Sequence, residues 1–280
     1  MDSSIRPFAL PHDRQQLQQQ LPRQPHNFLK TLIDELSSGC LQLPQMEKHT
    51  HPYIRPKDAA TLIILRNDGP EPRFMMGKRH ENSKFMPGKF VFPGGRVDAG
   101  DSRVKPITDL HPKVEQSLIN KMRGTPSPLR ARALAMAAIR ETFEEVGLII
   151  GKPHNGSFNT RSPGWLPFGQ TGHAPSLDKM RLIARAITPP GRTRRFDARF
   201  FVVDASEVTN LDTPCSIDND ELLECHWVGF DAAKSLALPD ITHKILNILS
   251  DTLNNPETLE PGSPVHFQHM TASGWQQETV

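Results

Sequence analysis

Three glutamates stand close together in the segment Arg140–Leu148, which reads RETFEEVGL. Glu141, Glu144 and Glu145 follow the spacing i, i+3 and i+4, so a helix would place them on one face. Carboxylates this close repel one another unless the face is solvated or a cation neutralises it. Their hard oxygen atoms suit Mg²⁺ or Mn²⁺, ions that also bind substrate phosphates. The segment therefore supports two interpretations, a solvated acidic helix face or a metal site.

The glutamates are predicted to lie in a helix that begins near Ser127. Ser127 suits the N-cap, Pro128 suits the first helical position and Gly147 suits the C-terminal stop. Apolar residues recur at steps of three, four and three along this segment, namely Met136, Ile139, Phe143 and Val146. This stripe is expected to face the core, with the glutamates on the opposite side.

A second motif lies upstream, where Phe92–Gly95 reads FPGG and is followed by RVDAGD. With both segments the chain resembles the Nudix hydrolases, whose box reads G-x5-E-x7-R-E-U-x-E-E-x-G-U, with U aliphatic. Gly95 matches the opening glycine, Asp101 stands where the family has Glu, and Thr142 occupies an aliphatic position. The second half of the box is matched by Arg140, Glu141, Glu144, Glu145, Gly147 and Leu148.

The box is interrupted, because 38 residues separate Asp101 from Arg140 where the family pattern has seven. This split box, together with FMPGKFVFPGGRVDAGD and RRFDARFF, is similar to the Nudix branch that includes animal peroxisomal coenzyme A diphosphatases. We place the insertion at about residues 102–126. The glycine loop and the helix must then be brought together in space rather than by a short connection.

The resemblance implies a metal site for Mg²⁺ or Mn²⁺. Its expected ligands are Glu141, Glu144, Glu145 and the backbone carbonyl of Gly94. Glu141 is also a candidate general base, an assignment that the sequence leaves open.

Other residues are expected to support this site. Arg140 is expected to orient Glu144 and to pair with Asp101, although Asp is one methylene shorter than the usual Glu. A further carboxylate from outside the box is a candidate metal ligand or base, and SIDNDELLECHWV offers Glu221 or Glu224. A loop or strand-edge acid is the alternative for each.

Two basic clusters are candidate substrate-binding residues. Coenzyme A diphosphatases carry an upstream signature, roughly L-L-T-x-R-(S,A)-x3-R-x3-G-x3-F-P-G-G. The chain keeps Arg79 and the final FPGG, has Lys84 in place of the second Arg, and is one residue short. Arg79 and Lys84 could bind a phosphate-rich ligand such as the 3′-phospho-ADP half of coenzyme A, and so could Arg194 and Arg195. A solvated basic loop is the alternative in each case.

Three functions remain open at this point. The first is hydrolysis of coenzyme A or acyl-coenzyme A to 3′,5′-ADP and (acyl-)phosphopantetheine. The second is the same chemistry on ADP-ribose, NADH or a dinucleotide polyphosphate. The third is a non-catalytic, nucleotide-sensing Nudix module, which the intact glutamate set disfavours.

The expected fold class is α/β, an α/β/α sandwich with a mixed sheet, as the resemblance implies. We divide the chain into a polar extension (1–52), a Nudix domain (53–250) and a tail with a possible hairpin (251–280). The segment Ser176–Ile187 is predicted to be a helix capped by Ser176.

Composition limits the partners and the compartment. The 33 basic and 31 acidic residues nearly balance, so neither a nucleic acid nor a membrane is expected as a partner. The expected partner is a small nucleotide-type substrate. The three cysteines, Cys40, Cys215 and Cys225, are interpreted as reduced thiols of a cytoplasmic protein. A peroxisomal or mitochondrial location is left open for a eukaryotic protein, and so is a homodimer.

Overall fold

The computed structural model describes residues 54–83, 85–154, 160–213 and 221–280. All of them belong to one compact unit, His49–Val280. The predicted extension 1–52 and the candidate Lys84 lie outside the described residues.

Eleven strands occur in the described part of the chain. They are β1 (Lys57–Arg66), β2 (Arg73–Arg79), β3 (Phe90–Val91), β4 (Gly94–Arg96), β5 (Gly151–Pro153), β6 (His173–Pro175), β7 (Arg181–Ile187), β8 (Phe196–Asp204), β9 (Leu222–Gly229), β10 (His266–Thr271) and β11 (Gly274–Thr279). The main sheet has the order β11-β10-β7-β8-β1-β2-β3, with β4 paired to β1 and β9 paired to β2. It is mixed, because β1 runs parallel to β8 and antiparallel to β2. β5 and β6 form a separate two-stranded sheet.

Five α-helices accompany these strands in the described residues: α1 (Pro112–Ile119), α2 (Pro128–Val146), α3 (Leu166–Gln170), α4 (Phe230–Ala233) and α5 (Asp240–Asn254). β1 is buried between two layers of them, since Leu62 and Ile64 pack in the core with α2 while Ile63 and Leu65 pack in the core with α5. The predicted α/β/α sandwich is confirmed. None of the helices in the described ranges has the length and apolar character needed to cross a bilayer.

Helix α2 has the predicted ends. The side chain of Ser127 accepts a hydrogen bond from the Arg130 backbone N–H, and Gly147 ends the helix in the left-handed conformation with φ 73°. The unusual Thr142 of the box is buried, and its hydroxyl donates to the carbonyl of Ala138 at 2.7 Å. A polar side chain is therefore accommodated at a core position by a bond within the helix.

The helix predicted for Ser176–Ile187 is wrong, because Arg181–Ile187 forms strand β7. β7 pairs with β8 on one side and β10 on the other, so its backbone groups are satisfied by neighbouring strands. The hydroxyl of Ser176 lies 2.8 Å from that of Thr108 instead of capping a helix. Sheet pairing overrode a local pattern that also suited a helix.

The C-terminal hairpin is present as β10 and β11. β10 also pairs in parallel with β7, so the last residues extend the main sheet.

Cys225 on β9 is disulfide-bonded, which makes the prediction of three reduced thiols wrong for this residue. Cys40 and Cys215 lie outside the described residues.

A buried ionic network connects the sheet to the start of α2. Asp197 accepts hydrogen bonds from Arg185 at 2.7 and 2.8 Å, and Arg199 lies 2.9 Å from the same carboxylate. Arg199 and Arg130 both bind Asp58, at 3.1 and 2.9 Å. Asp197, Arg185 and Arg199 are each less than 5% exposed, so these charges depend on one another for compensation.

We expect Asp197→Ala to lower the free energy of unfolding by about 3–5 kcal/mol, because it leaves two buried guanidinium groups without their shared carboxylate. Urea unfolding of the variant and the parent measures the difference. Asp231→Ala is the matched control, since Asp231 forms an exposed pair with Lys234 and its loss should change little. An unchanged unfolding midpoint for Asp197→Ala would show that the network is not stabilising.

Candidate active site

Strand β4, which begins with Gly94 and Gly95, meets helix α2 at Glu145 and Glu141. Glu145, only 3% exposed, accepts a hydrogen bond from the Gly94 N–H at 2.9 Å. A Cβ at Gly95 would collide with the Glu141 carboxylate, and one at Gly94, where φ is +154°, would collide with the backbone of β1. Glycine is therefore required at position 94, whereas a side chain at position 95 would displace the Glu141 carboxylate. The interpretation of a solvated acidic face is wrong for Glu141 and Glu145, whose side chains are 16% and 4% exposed.

Arg140 joins the two halves of the interrupted box. Its Nε and Nη2 donate to the Asp101 carboxylate at 2.8 and 3.1 Å, and Nη2 also donates to the Arg96 carbonyl at 3.0 Å. Its Nη1 donates to Glu144 at 2.8 Å and lies 3.0 Å from Glu141. The predicted contacts of Arg140 with Glu144 and Asp101 are confirmed, so the shorter Asp side chain reaches across the rebuilt loop.

Asp101 is itself held by two further donors. Its Oδ2 accepts from the Asp98 N–H at 2.7 Å, and its Oδ1 accepts from the indole N–H of Trp165 at 2.8 Å. Trp165 comes from the segment after α2, in a stretch rich in Gly and Pro. Sequence analysis missed it because nothing in the box or its spacing points to that stretch.

Burial raises the pKa values of all three glutamates. Burial raises the pKa of Glu141 to about 7, even though the Arg140 charge opposes the shift. Burial also raises the pKa of Glu144, and it raises the pKa of Glu145 well above its usual range despite the Gly94 N–H. Burial disfavours the charge of Arg140 too, but its hydrogen bond to Asp101 and the nearby carboxylates raise its pKa, so it stays charged. A divalent cation would relieve the repulsion among these carboxylates.

The donor set fits a hard cation by its chemistry, since Mg²⁺ and Mn²⁺ prefer carboxylate and carbonyl oxygens. In the described residues no group of three or more His, Cys, Asp or Glu side chains is arranged around one point as metal ligands would be. Arg140 contacts Glu141 and Glu144, and the Gly94 N–H donates to Glu145. The ligand assignments, including the Gly94 carbonyl, stay predictions.

Arg79 and Glu221 lie beside the carboxylates. One guanidinium nitrogen of Arg79 is 3.8 Å from Glu145 and another is 3.8 Å from Glu221. The negative charge of Glu221 also raises the pKa of Glu141 and of Glu145, but its effect is smaller than those of burial and of the groups that lie nearer. Glu224 instead lies 3.2 Å from His226 and 4.0 Å from Lys78. Of the two candidate extra carboxylates, Glu221 is the one that the fold places near the site.

The second basic cluster is divided between surface and interior. Arg195 is buried, and its guanidinium donates to the carbonyls of Thr188 at 2.9 Å and Ile54 at 2.8 Å. Its predicted substrate-binding role is therefore withdrawn, because the guanidinium ties the β7–β8 turn to the chain before β1. Arg194 is exposed and its role stays a prediction.

Among solved structures, the chain resembles a NUDIX hydrolase from Alicyclobacillus acidocaldarius, with a TM-score of 0.55 and 21% identity over 73% of this chain and 96% of that one. The chain has the Nudix hydrolase fold. The fold brings the split box together at the carboxyl-terminal part of α2 and at β4, as the resemblance implied.

Two curated relatives share part of the sequence. Acyl-coenzyme A diphosphatase NUDT19 of Xenopus laevis is 30% identical over 125 residues, which cover 38% of this chain and 32% of the relative. NUDT19 of Gallus gallus is 32% identical over 127 residues, 39% of this chain and 31% of the relative. The matched segment thus spans about a third of the length of these relatives. No family model matches the chain.

We expect Glu141→Gln to stabilise the metal-free Nudix domain at neutral and higher pH. Because burial raises the pKa of Glu141 from 4.5 to about 7, its folded form retains a proton that the unfolded chain releases. The contribution of Glu141 to stability is fully present below 4.5, its pKa in the unfolded chain, and is lost as the pH rises through its folded pKa of about 7. The variant should exceed the parent in free energy of unfolding by up to about 3 kcal/mol at high pH.

The measurement is urea unfolding in the presence of a chelator, at about pH 5 and about pH 8, with the exposed Glu257→Gln as control. A difference between variant and parent that is equal at both pH values would contradict the raised pKa.

Proposed function

We propose that this protein is a metal-dependent Nudix diphosphatase that hydrolyses coenzyme A or an acyl-coenzyme A to 3′,5′-ADP and (acyl-)phosphopantetheine. The observation that carries the diphosphatase part is the reassembled box, in which Arg140 binds Asp101 and Glu144 while Glu145 binds the Gly94 N–H. The coenzyme A part is supported by the partial similarity to acyl-coenzyme A diphosphatases.

Glu141, Glu144, Glu145 and the Gly94 carbonyl are the proposed ligands of Mg²⁺ or Mn²⁺. When bound, such a cation shields the diphosphate charge and lowers the pKa of a water. Glu141 and Glu144 would hold such a cation together with Glu145, and both are contacted by Arg140. Arg140 remains in place through Asp101, so its guanidinium keeps both carboxylates within reach.

Glu141 is the proposed general base, and Glu221 is the second candidate. Glu141 follows Arg140 in the second half-box, the position that the Nudix resemblance implies for a base, and its side chain is 16% exposed at the meeting point of β4 and α2. Glu221 is more exposed, and its distance of 3.8 Å from Arg79 supports it as the second candidate.

Arg79 is the proposed phosphate-binding residue, with Lys84 and Arg194 as further candidates. The Arg79 side chain is 18% exposed beside Glu145, so a phosphate at the carboxylate site can reach it.

The alternative substrates are ADP-ribose, NADH and dinucleotide polyphosphates, which the same carboxylates would serve. A nucleotide-sensing module without catalysis is the third alternative. A substrate panel in Mg²⁺ and in Mn²⁺, with products separated by chromatography, distinguishes them. We expect fastest turnover of coenzyme A compounds with release of 3′,5′-ADP. Faster turnover of another compound would keep the metal chemistry and remove the coenzyme A assignment.

Glu144→Gln and Glu145→Gln are each expected to lower turnover by orders of magnitude, because each removes a negative metal ligand while conserving side-chain shape. The exposed Glu257→Gln is the matched control and should retain the parent rate. Circular dichroism checks that the variants are folded. Parent-like rates for both variants at saturating metal would remove the ligand assignment.

Arg79→Ala is expected to raise KM at least tenfold with a smaller change in kcat if Arg79 binds substrate phosphate. Initial rates with coenzyme A at saturating Mn²⁺ provide both constants. The exposed Arg103→Ala is a suitable control from outside the site. A fall in kcat at unchanged KM would instead assign Arg79 to the Glu145 and Glu221 carboxylates that it contacts.

A further inference from the structure

A fully buried tryptophan lies directly behind the charged centre of the split box. Trp165 has no exposed surface, and its indole N–H donates to Asp101 Oδ1 at 2.8 Å. The same oxygen accepts from Arg140 Nε at 2.8 Å. Trp165 is therefore two hydrogen bonds from the guanidinium that contacts Glu141 and Glu144.

The segment around Trp165 also packs tightly against the same residues. A Cβ at Gly164 would lie 2.9 Å from a Glu144 carboxylate oxygen and 3.2 Å from the Arg140 side chain. A Cβ at Gly100, next to Asp101, would collide with Ser162. Two glycines thus permit residues 162–165 to approach both halves of the box closely.

Aromatic contacts anchor this segment to the helix that carries the glutamates. Trp165 packs edge-on against Phe168 at 5.4 Å between ring centroids, and Phe168 packs against Phe143 of α2 at 5.2 Å. Trp165 is thereby held in a fixed relation to α2. The hydrogen bond from its indole N–H then fixes the carboxylate of Asp101, which belongs to a different segment.

The contacts of Trp165 compensate for the two departures of the chain from the Nudix pattern. The insertion removes the short covalent link between Asp101 and Arg140, and the Asp side chain is shorter than Glu. A third segment that binds both sides replaces the missing restraint. The indole N–H also satisfies a fully buried carboxylate oxygen, which would otherwise depend on Arg140 alone.

We propose that Trp165 is a positioning residue for the metal-binding carboxylates, acting through Asp101 and Arg140. This positioning role rests on the metal site of the proposed function but not on the identity of the substrate. Partners behind metal ligands typically change metal affinity by 10–100-fold when removed. Trp165 should therefore influence metal binding through its hydrogen bond to Asp101.

The test is Mn²⁺ binding to the full chain without substrate, measured by electron paramagnetic resonance of the free ion. Trp165→Phe keeps an aromatic ring beside Phe168 and removes the N–H. We expect it to raise the Mn²⁺ dissociation constant about tenfold. Trp275→Phe is the matched control, because Trp275 is 52% exposed on the C-terminal hairpin and should leave the constant unchanged.

A double-mutant cycle with Asp101→Asn separates positioning from general loss of packing. If Trp165 acts through Asp101, Trp165→Phe should have little further effect in the Asp101→Asn background. Equal effects in both backgrounds, or parent-like affinity of Trp165→Phe, would overturn the proposal. If Trp165→Phe does not fold, site-specific replacement of Trp165 by 3-benzothienylalanine keeps the bicyclic shape without the N–H and is judged by the same criteria.

The outcomes also separate this proposal from the proposed function. A parent that binds Mn²⁺ but hydrolyses no member of the substrate panel would remove the diphosphatase and leave the positioning role testable by affinity. A parent that does not bind Mn²⁺ would overturn both.

Discussion

The guanidinium of Arg140 is the contact on which the site depends. It carries one positive charge into a largely buried position and uses it to hold Asp101 from the loop and Glu144 from its own helix, with Glu141 at 3.0 Å. Charge-assisted, two-pronged bonds of this kind specify direction as well as distance. Removing Arg140 would leave Asp101, which has no exposed surface, without its compensating charge. The same residue thus connects the segment around Asp101 to helix α2 and holds Glu144 and Glu141 beside it.

The site also holds several negatively charged side chains close together, which is unfavourable for folding. Burial raises the pKa of Glu141 to about 7 and that of Glu145 well above its usual range, and the single Arg140 charge does not cancel the effect. Folding energy from elsewhere must compensate for such a cluster, which is a common property of functional sites. The two apolar cores on either side of β1 are the parts of the fold that can supply it.

The insertion is integrated into the domain at both of its ends. Asp101 at its start is held by Arg140 and Trp165. At its end, Arg130 donates to the carbonyls of Arg123 and Thr125 and to Asp58 of β1. A long connection therefore separates the two halves of the box in sequence without loosening them in space, because hydrogen bonds replace the covalent restraint.

The sequence by itself determined two local features, the capped helix from Pro128 to Val146 and the C-terminal hairpin, since caps, turns and periodicity act over a few residues. The glycine turn predicted at Gly94 and Gly95 is wrong, because both residues pair with β1 as part of strand β4. Through the resemblance of both half-boxes to one family, it also predicted the contacts of Arg140 with Glu144 and Asp101, but not those with Glu141 and the Arg96 carbonyl. Only the tertiary structure decided the strand at Arg181–Ile187, the burial of Arg195, the choice of Glu221 over Glu224 and the contact of Trp165 with Asp101. Each of these depends on which segments become neighbours, and that is set by sheet pairing and packing between residues far apart in the chain.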